Sequence, residues 1–408
     1  MRIQPRGPGW AICASKEGPA GVASIHMTPS RTSQLGLARL AIHLTFFVCG
    51  FIMAAWVSRI PAIKQNLGLN TGELGLVLLG APVGLVLAMP LTGWLIAHWG
   101  SRPVVVLAAL SNCFSLPLLA LTPNGWTLAL ALFAFGFTSA AMDISMNTQA
   151  VEAEKRYARP IMSSFHALFS LGGLVGAALG GAAAAGGVGP LPFFAWMAAV
   201  SSLMILWAVR YLLQVQPAPV GPRFVWPRGV LLGLGLIVFC TGLGEGAVAD
   251  WSAVYMRQVI GSSEAVAALA FSAFSVAMVV GRLIGDTLTH RLGAVTLART
   301  GGLLAAAGFV TTLLAAHPAI AMLGFVLIGL GYCTLFPLAF SAAGRVPGVQ
   351  PGVALASVAT LGYLGFLAGP PVIGLIAHAT TLRVSFAVVA GLAAVIALLA
   401  GLLRPRTR

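Results

Sequence analysis

Charge is scarce in this chain. Only 8% of its 408 residues are Asp, Glu, Lys or Arg, and only nine are acidic. Soluble domains carry roughly a quarter charged residues. A chain that is 59% hydrophobic cannot cover itself with polar groups in water, so the bilayer is its expected solvent. Five cysteines, Cys13, Cys49, Cys113, Cys240 and Cys333, form no Cys-x-x-Cys pair, and four lie in apolar runs. They read as small packed hydrophobes, with neither a disulfide framework nor a metal site expected. No Gly-Lys-Ser/Thr phosphate loop occurs, which points away from ATP as the energy source. No His-Glu-x-x-His or Ser-His-Asp arrangement suggests an enzyme, and no cofactor is expected. Residues 1–36 hold no apolar run long enough for a signal-peptide core. Residues 1–26 read as a disordered extension, or as lying upstream of a true start at Met27.

What the chain does contain is apolar runs of about twenty residues, long enough to span a membrane as helices. Twelve are read: Ala41–Val57, Leu74–Ala97, Val104–Leu121, Trp126–Val151, Ser163–Ala185, Leu191–Leu213, Gly229–Tyr255, Ala265–Leu288, Val295–Ala316, Ile320–Ala343, Val353–Ala377 and Val384–Leu403. The polar stretch Gln214–Arg228, with Pro217, Pro219, Pro222 and Pro227, falls between the sixth and seventh and reads as a linker. The expected organisation is an N-terminal extension 1–37, a six-helix half 38–213, the linker 214–228, a second half 229–404 and a tail 405–408.

The net charge of +14 comes mostly from basic residues in short loops. That pattern sets membrane orientation and argues against nucleic-acid binding. With both termini in the cytoplasm, the cytoplasmic side collects Arg102, Lys155, Arg156, Arg159, Arg210, Arg223, Arg228, Arg291, Arg345, Arg404, Arg406 and Arg408. The other side keeps Arg59, Lys64, Arg257 and Arg383.

A repeat runs through the chain at an offset of 193. Gly100 maps to Gly293, and Ser164, Gly172, Gly176 and Gly181 map to Ser357, Gly365, Gly369 and Gly374. Two parallel copies of six spans are the architecture of the major facilitator fold.

The chain resembles the major facilitator superfamily from residue 38 onward. Residues 93–102, Gly-Trp-Leu-Ile-Ala-His-Trp-Gly-Ser-Arg and so including Gly100 and Arg102, look like the family signature between the second and third spans. The signature carries an aspartate where this chain has Ala97, which leaves the gating contact attributed to that aspartate without its carboxylate. Residues 54–61, 142–147, 159–166 and 244–251 resemble an uncharacterised bacterial inner-membrane group near the fucose-permease-like branch. The resemblance implies an all-α transporter for a sugar or another small polar metabolite.

Acids and bases inside spans are costly and mark candidate sites. Ser139, Asp143 and Asn147 follow at steps of four, so they share one face of the fourth span. They read as a cavity wall that binds substrate or a proton, or as a structural stripe. Glu245 lies among Gly242, Gly244 and Gly246, where local unwinding would form a site. Burial disfavours a charged carboxylate, so Glu245 is a candidate proton carrier, or else a paired structural acid. Asp250 points elsewhere and reads as structural. His166 shares a face with Ser163 and Ser170 and is either a relay or a packing histidine. Arg59 is an anion ligand or a snorkelling side chain. Trp56 belongs to the aromatic belt with Trp126 and Trp251, or lines the path. Arg282 and Asp286, four apart, read as an ion pair within one helix with a structural or gating role. Gly172, Gly176 and Gly180 form a small-residue ridge. In the superfamily the fifth span meets the eighth, so the resemblance implies a sliding surface there.

The expected protein is a monomeric secondary transporter in the bacterial inner membrane. It moves a small solute by alternating access with proton coupling, and its partners are that solute, protons and lipids. Drug or metabolite efflux is the alternative within the class. A membrane ligand sensor is the alternative outside it.

Overall fold

A computed structural model describes residues 31–69, 71–215 and 226–404; residues 216–225 of the expected linker 214–228, residues 1–30 of the expected extension 1–37 and the expected tail 405–408 lie outside these residues. The described residues form helices and no strand. Twelve of the helical stretches are long and apolar enough to cross a bilayer. Spans one to six are Gln34–Asn66, Leu76–Trp99, Ser101–Leu118, Gly125–Tyr157, Met162–Ala185 and Pro190–Ala208. Spans seven to twelve are Val230–Gln258, Leu269–Leu292, Ala294–Leu314, Pro318–Ala343, Pro351–Ala379 and Leu382–Leu403. Spans one and four run beyond the apolar stretches that announce them. The added turns carry polar side chains such as Lys64, Glu152 and Arg156.

Local chemistry sets the ends. Asn124 and Thr127 form a reciprocal capping box at the start of span four, with the Thr127 amide donating to Asn124 Oδ1 at 3.0 Å. Thr381 and Ser263 cap the helices that begin just after them. Gly100 and Gly293, 193 apart, make the sharp connections between spans two and three and between eight and nine, with φ of 79° and 78°. A side chain is strained in that left-handed region. Arg102 beside the first turn donates to the Val209 carbonyl at 2.8 Å, tying the connection to span six. Span ten breaks at Cys333–Thr334. Pro337 lacks the N–H that would bond the Cys333 carbonyl, and that carbonyl takes Arg282 Nε at 3.3 Å instead.

The two halves pack alike. Span one lies on span five and span two on span four; span seven lies on span eleven and span eight on span ten. Between halves, span two meets span eleven and span five meets span eight, with span four on eleven and span ten on five at the centre. Each pair is the repeat image of the other. One end of the bundle, the basic end, carries Arg102, Arg159, Arg291 and Arg345.

The glycine ridge of span five lies elsewhere than expected. Gly172 presses on the Phe47 carbonyl, Gly176 on that of Phe51 and Gly180 on Ser58, all of span one. Span five does touch span eight, but not through this ridge. Gly365 and Gly369 of span eleven repeat the arrangement against Phe239 and Leu243 of span seven. The ridge is therefore the close-packed spine of each half. A Cβ at Gly176 would stand 2.5 Å from the Phe51 carbonyl oxygen, whereas at Gly181 nothing lies within 4 Å. Gly176→Leu is expected to lower the thermal unfolding midpoint of purified protein by several degrees, through overpacking of about 1–3 kcal/mol. Gly181→Leu should leave it unchanged, and an equal response from the two would remove the spine from the explanation.

Span seven is a continuous helix through Glu245, so the expected unwinding is absent. Its glycines serve close contact instead: a Cβ at Gly242 would lie 2.5 Å from the Gly362 carbonyl oxygen, and Gly244 faces the Tyr332 ring.

Candidate functional site

The acids singled out by rarity lie on one connected polar chain through the middle of the bundle. Asp143 Oδ2 accepts from the Tyr363 hydroxyl at 2.9 Å, a bond from span eleven to span four and thus between halves. Its Oδ1 accepts from Asn147 Nδ2 at 3.1 Å, one helical turn on. Asn147 Oδ1 lies 3.2 Å from His166 Nε2. An amide oxygen only accepts, so this contact assigns the imidazole proton to Nε2. The ring edges onto Phe46, at 5.3 Å between centroids, and faces Phe340 of the other half at 6.1 Å.

The chain continues along span five. Ser170 Oγ donates to the His166 carbonyl at 3.1 Å and accepts from Arg282 Nη1 at 2.6 Å, a second bond between halves. Arg282 Nη2 stands 4.0 Å from Glu245 Oε1. That oxygen and the nearby Tyr332 hydroxyl are buried without another hydrogen-bond partner. A carboxylate whose main neighbour is a guanidinium 4.0 Å away is held by charge more than by a formed hydrogen bond.

Several expected roles change. Arg282 and Asp286 do not pair. Each finds other partners: Arg282 takes Ser170 and the carbonyl freed by Pro337, while Asp286 accepts from the Ser163 amide at 2.7 Å and the Ser164 amide at 3.0 Å. Ser139 shares a helix face with Asp143 but turns to span three, accepting from Asn112 Nδ2 at 2.7 Å. Trp56 is buried against Phe194, at 6.4 Å between ring centroids, and so leaves the aromatic belt. Trp126 stays exposed. Arg59 does not snorkel. It is 4% exposed, donates to the Val188 carbonyl and lies 5.9 Å from the Phe193 ring. It fastens span one to the connection between spans five and six.

Two further residues belong to this system. Tyr363 is the repeat image of Ser170, since 363 − 170 = 193, and each makes a bond between halves at the centre. The offset was the available signal. Glu154, near the end of span four, is 2% exposed and accepts from the Ile161 and Met162 amides, each at 3.1 Å, and from Arg345 Nη2 at 2.6 Å. Its place among Lys155, Arg156 and Arg159 gave it the look of a solvated loop charge.

Two parallel six-helix halves joined by a buried polar chain are the architecture of the major facilitator fold. The chain belongs to the Major Facilitator Superfamily, whose family model matches residues 42–233 and 234–408. It is a multi-pass membrane transporter of that family. An uncharacterised MFS-type transporter of Yersinia pestis is 41% identical over 355 residues, covering 86% of this chain and 92% of that protein. Among solved structures, the E. coli fucose:proton symporter FucP superposes with a TM-score of 0.72 at 14% identity, over 90% of this chain and 98% of that one. The proton:xylose symporter XylE gives 0.73 at 15% identity, over 90% and 95%. These two likenesses show the shared fold.

Proposed function

We propose that the protein is a proton-coupled secondary transporter of a small polar solute, working by alternating access in the bacterial inner membrane. The observation that carries this reading is the polar chain Tyr363–Asp143–Asn147–His166–Ser170–Arg282–Glu245, which crosses between the halves twice. Acids at membrane depth are costly and are kept where charge changes are used. Asp143 has bound donors on both oxygens, so gaining a proton must break or reverse one of those bonds. Glu245 has a single charged neighbour, so gaining a proton releases Arg282. The Asp143 bond joins the halves directly, whereas the Glu245 contact lies within the second half and reaches the first only through the bond of Arg282 to Ser170. The solute is a small polar metabolite, a sugar among the first to try, because the fold is shared with two sugar symporters and the central chain offers both donors and acceptors.

The test is a panel of sugars, organic acids, amino acids and cationic drugs. Ligands that raise the unfolding midpoint of the purified protein are then added to proteoliposomes containing a pH-sensitive dye. The expected result is a stabilising polar solute whose addition drives proton movement. A stabilising hydrophobic cation that exchanges against protons would favour efflux. Stabilisation without any flux would favour a ligand sensor.

Orientation follows from the basic residues. Reporter fusions after Arg156, Pro217 and Arg345 should report cytoplasm, and fusions after Pro123, Val188 and Pro318 the opposite side. An inversion confined to the second half would contradict the span assignment.

A further inference from the structure

The seam between the halves at the basic end is built twice, and one pair of matching positions differs in charge between the two copies. The offset of 193 maps Gly93 onto Asp286 and Ser163 onto Ala356, since 286 − 93 = 193 and 356 − 163 = 193. In the seam of spans two and eleven, Gly93 packs directly on Ala356: a Cβ there would lie 3.1 Å from the alanine methyl, and Ile96 fills the space over Gly352. In the seam of spans eight and five, the same two positions hold Asp286 and Ser163, bonded carboxylate to amide at 2.7 Å. We infer that Asp286 is a latch between the halves that holds the basic end of the transporter shut, at a position where the twin seam has glycine.

The N-terminus of span five shows what the latch grips. A helix start leaves its first amides without partners inside the helix and carries partial positive charge. Here four successive amides are all taken by carboxylates. Ile161 and Met162 donate to Glu154 Oε2 of the same half, and Ser163 and Ser164 donate to Asp286 of the other half. Glu154 in turn is held from the other half by Arg345 and the Ser341 hydroxyl. Separating the halves at this end must break both Asp286 bonds, which are charge-assisted and stronger than neutral ones. At the matching positions of the twin seam, Gly93 and Ala356 offer van der Waals contact alone.

Two features make the latch releasable. A cavity of about 210 Å³, lined by Glu154, Ser163, Asp286, Ser341, Arg345 and Arg404 among others, reaches both carboxylates, so water can solvate the groups once they part. Asp286 also sits one helical turn from Arg282, on the same face of span eight. Any shift of span eight that accompanies a change at Glu245 therefore moves the latch too. Asp286 positions the halves and is placed away from the central acids.

The inference rests on alternating access, and the experiment separates the two. Spin labels are attached at Cys substituted for Arg159 and Arg291, both exposed at the basic end, in the full chain with its own cysteines replaced. Interspin distances are measured in lipid nanodiscs across a range of pH. Asp286→Ala should raise the ratio of long to short distance by roughly tenfold, the scale of losing hydrogen bonds to a charged group. Asp286→Asn keeps an accepting oxygen without the charge and should give a smaller rise. A wild type that shows both distances, with Asp286→Ala and Asp286→Asn matching its ratio, would overturn the latch. A single short distance in every variant and at every pH would overturn alternating access itself, and the latch with it.

Discussion

In proteoliposomes with an imposed pH gradient, Asp143→Asn and Glu245→Gln are each expected to let solute equilibrate and accumulate no further. One pH unit is worth about 1.36 kcal/mol per proton, a factor of ten. A carrier moving one proton per solute should therefore reach roughly tenfold accumulation in a gradient of that size, and either variant should stop at unity. The neutral side chains preserve shape and remove the charge change. Asn at 143 sets either an amide oxygen or an N–H against the Tyr363 hydroxyl, so the bond between halves no longer responds to protons. Gln at 245 leaves Arg282 without its charged neighbour whatever the pH. Counterflow exchange needs only the loaded carrier to reorient, so it should persist at a reduced rate. A residue that serves solute binding alone would lose exchange and accumulation together. If both variants still accumulate solute with the pH dependence of the wild type, neither acid carries the proton.

The spans were legible because a bilayer imposes one length on every apolar run, and the repeat was legible because its glycines are fixed by backbone contact. Gly172 and Gly365 keep their spacing since a side chain at either would strike a carbonyl oxygen of the neighbouring helix. Which helix they touch was not legible. A small-residue ridge states that something packs closely without stating what, and the expected partner, span eight, proved to be span one. The acids at 143 and 245 stood out by rarity. Tyr363 did not, because an aromatic residue in an apolar run looks like core, and only the image of Ser170 marks its position. Glu154 was hidden by the basic residues around it, since a local charge count does not see that a helix N-terminus will bury the carboxylate. The spacing of Arg282 and Asp286 suggested a pair, yet spacing fixes only which groups share a face. The competing partners come from distant sequence: a carbonyl freed by Pro337 and two amides at the start of span five.

Arg282 carries the second large effect, and here it falls on folding as well as transport. The guanidinium is buried, with its side chain 10% exposed and that of Glu245 14% exposed. Removing one partner of a buried pair leaves an uncompensated charge and costs about 3–5 kcal/mol, a large share of the stability of a typical protein. Arg282→Gln should therefore lower the yield of monodisperse protein sharply, because it also abandons the Ser170 hydroxyl and the Cys333 carbonyl. Glu245→Gln alone should be milder, since Arg282 keeps both of those acceptors. The double variant Arg282→Gln/Glu245→Gln has no unpaired charge at this place, so its unfolding midpoint should recover most of what Arg282→Gln loses. That recovery is a coupling between the two sites, and it should not extend to pH-driven accumulation, for which the double variant lacks the titrating group. Thermal unfolding of the wild type, both single variants and the double variant measures the coupling directly. If the two losses simply add, the 4.0 Å contact carries no energy, and Arg282 acts through Ser170 and Cys333 alone.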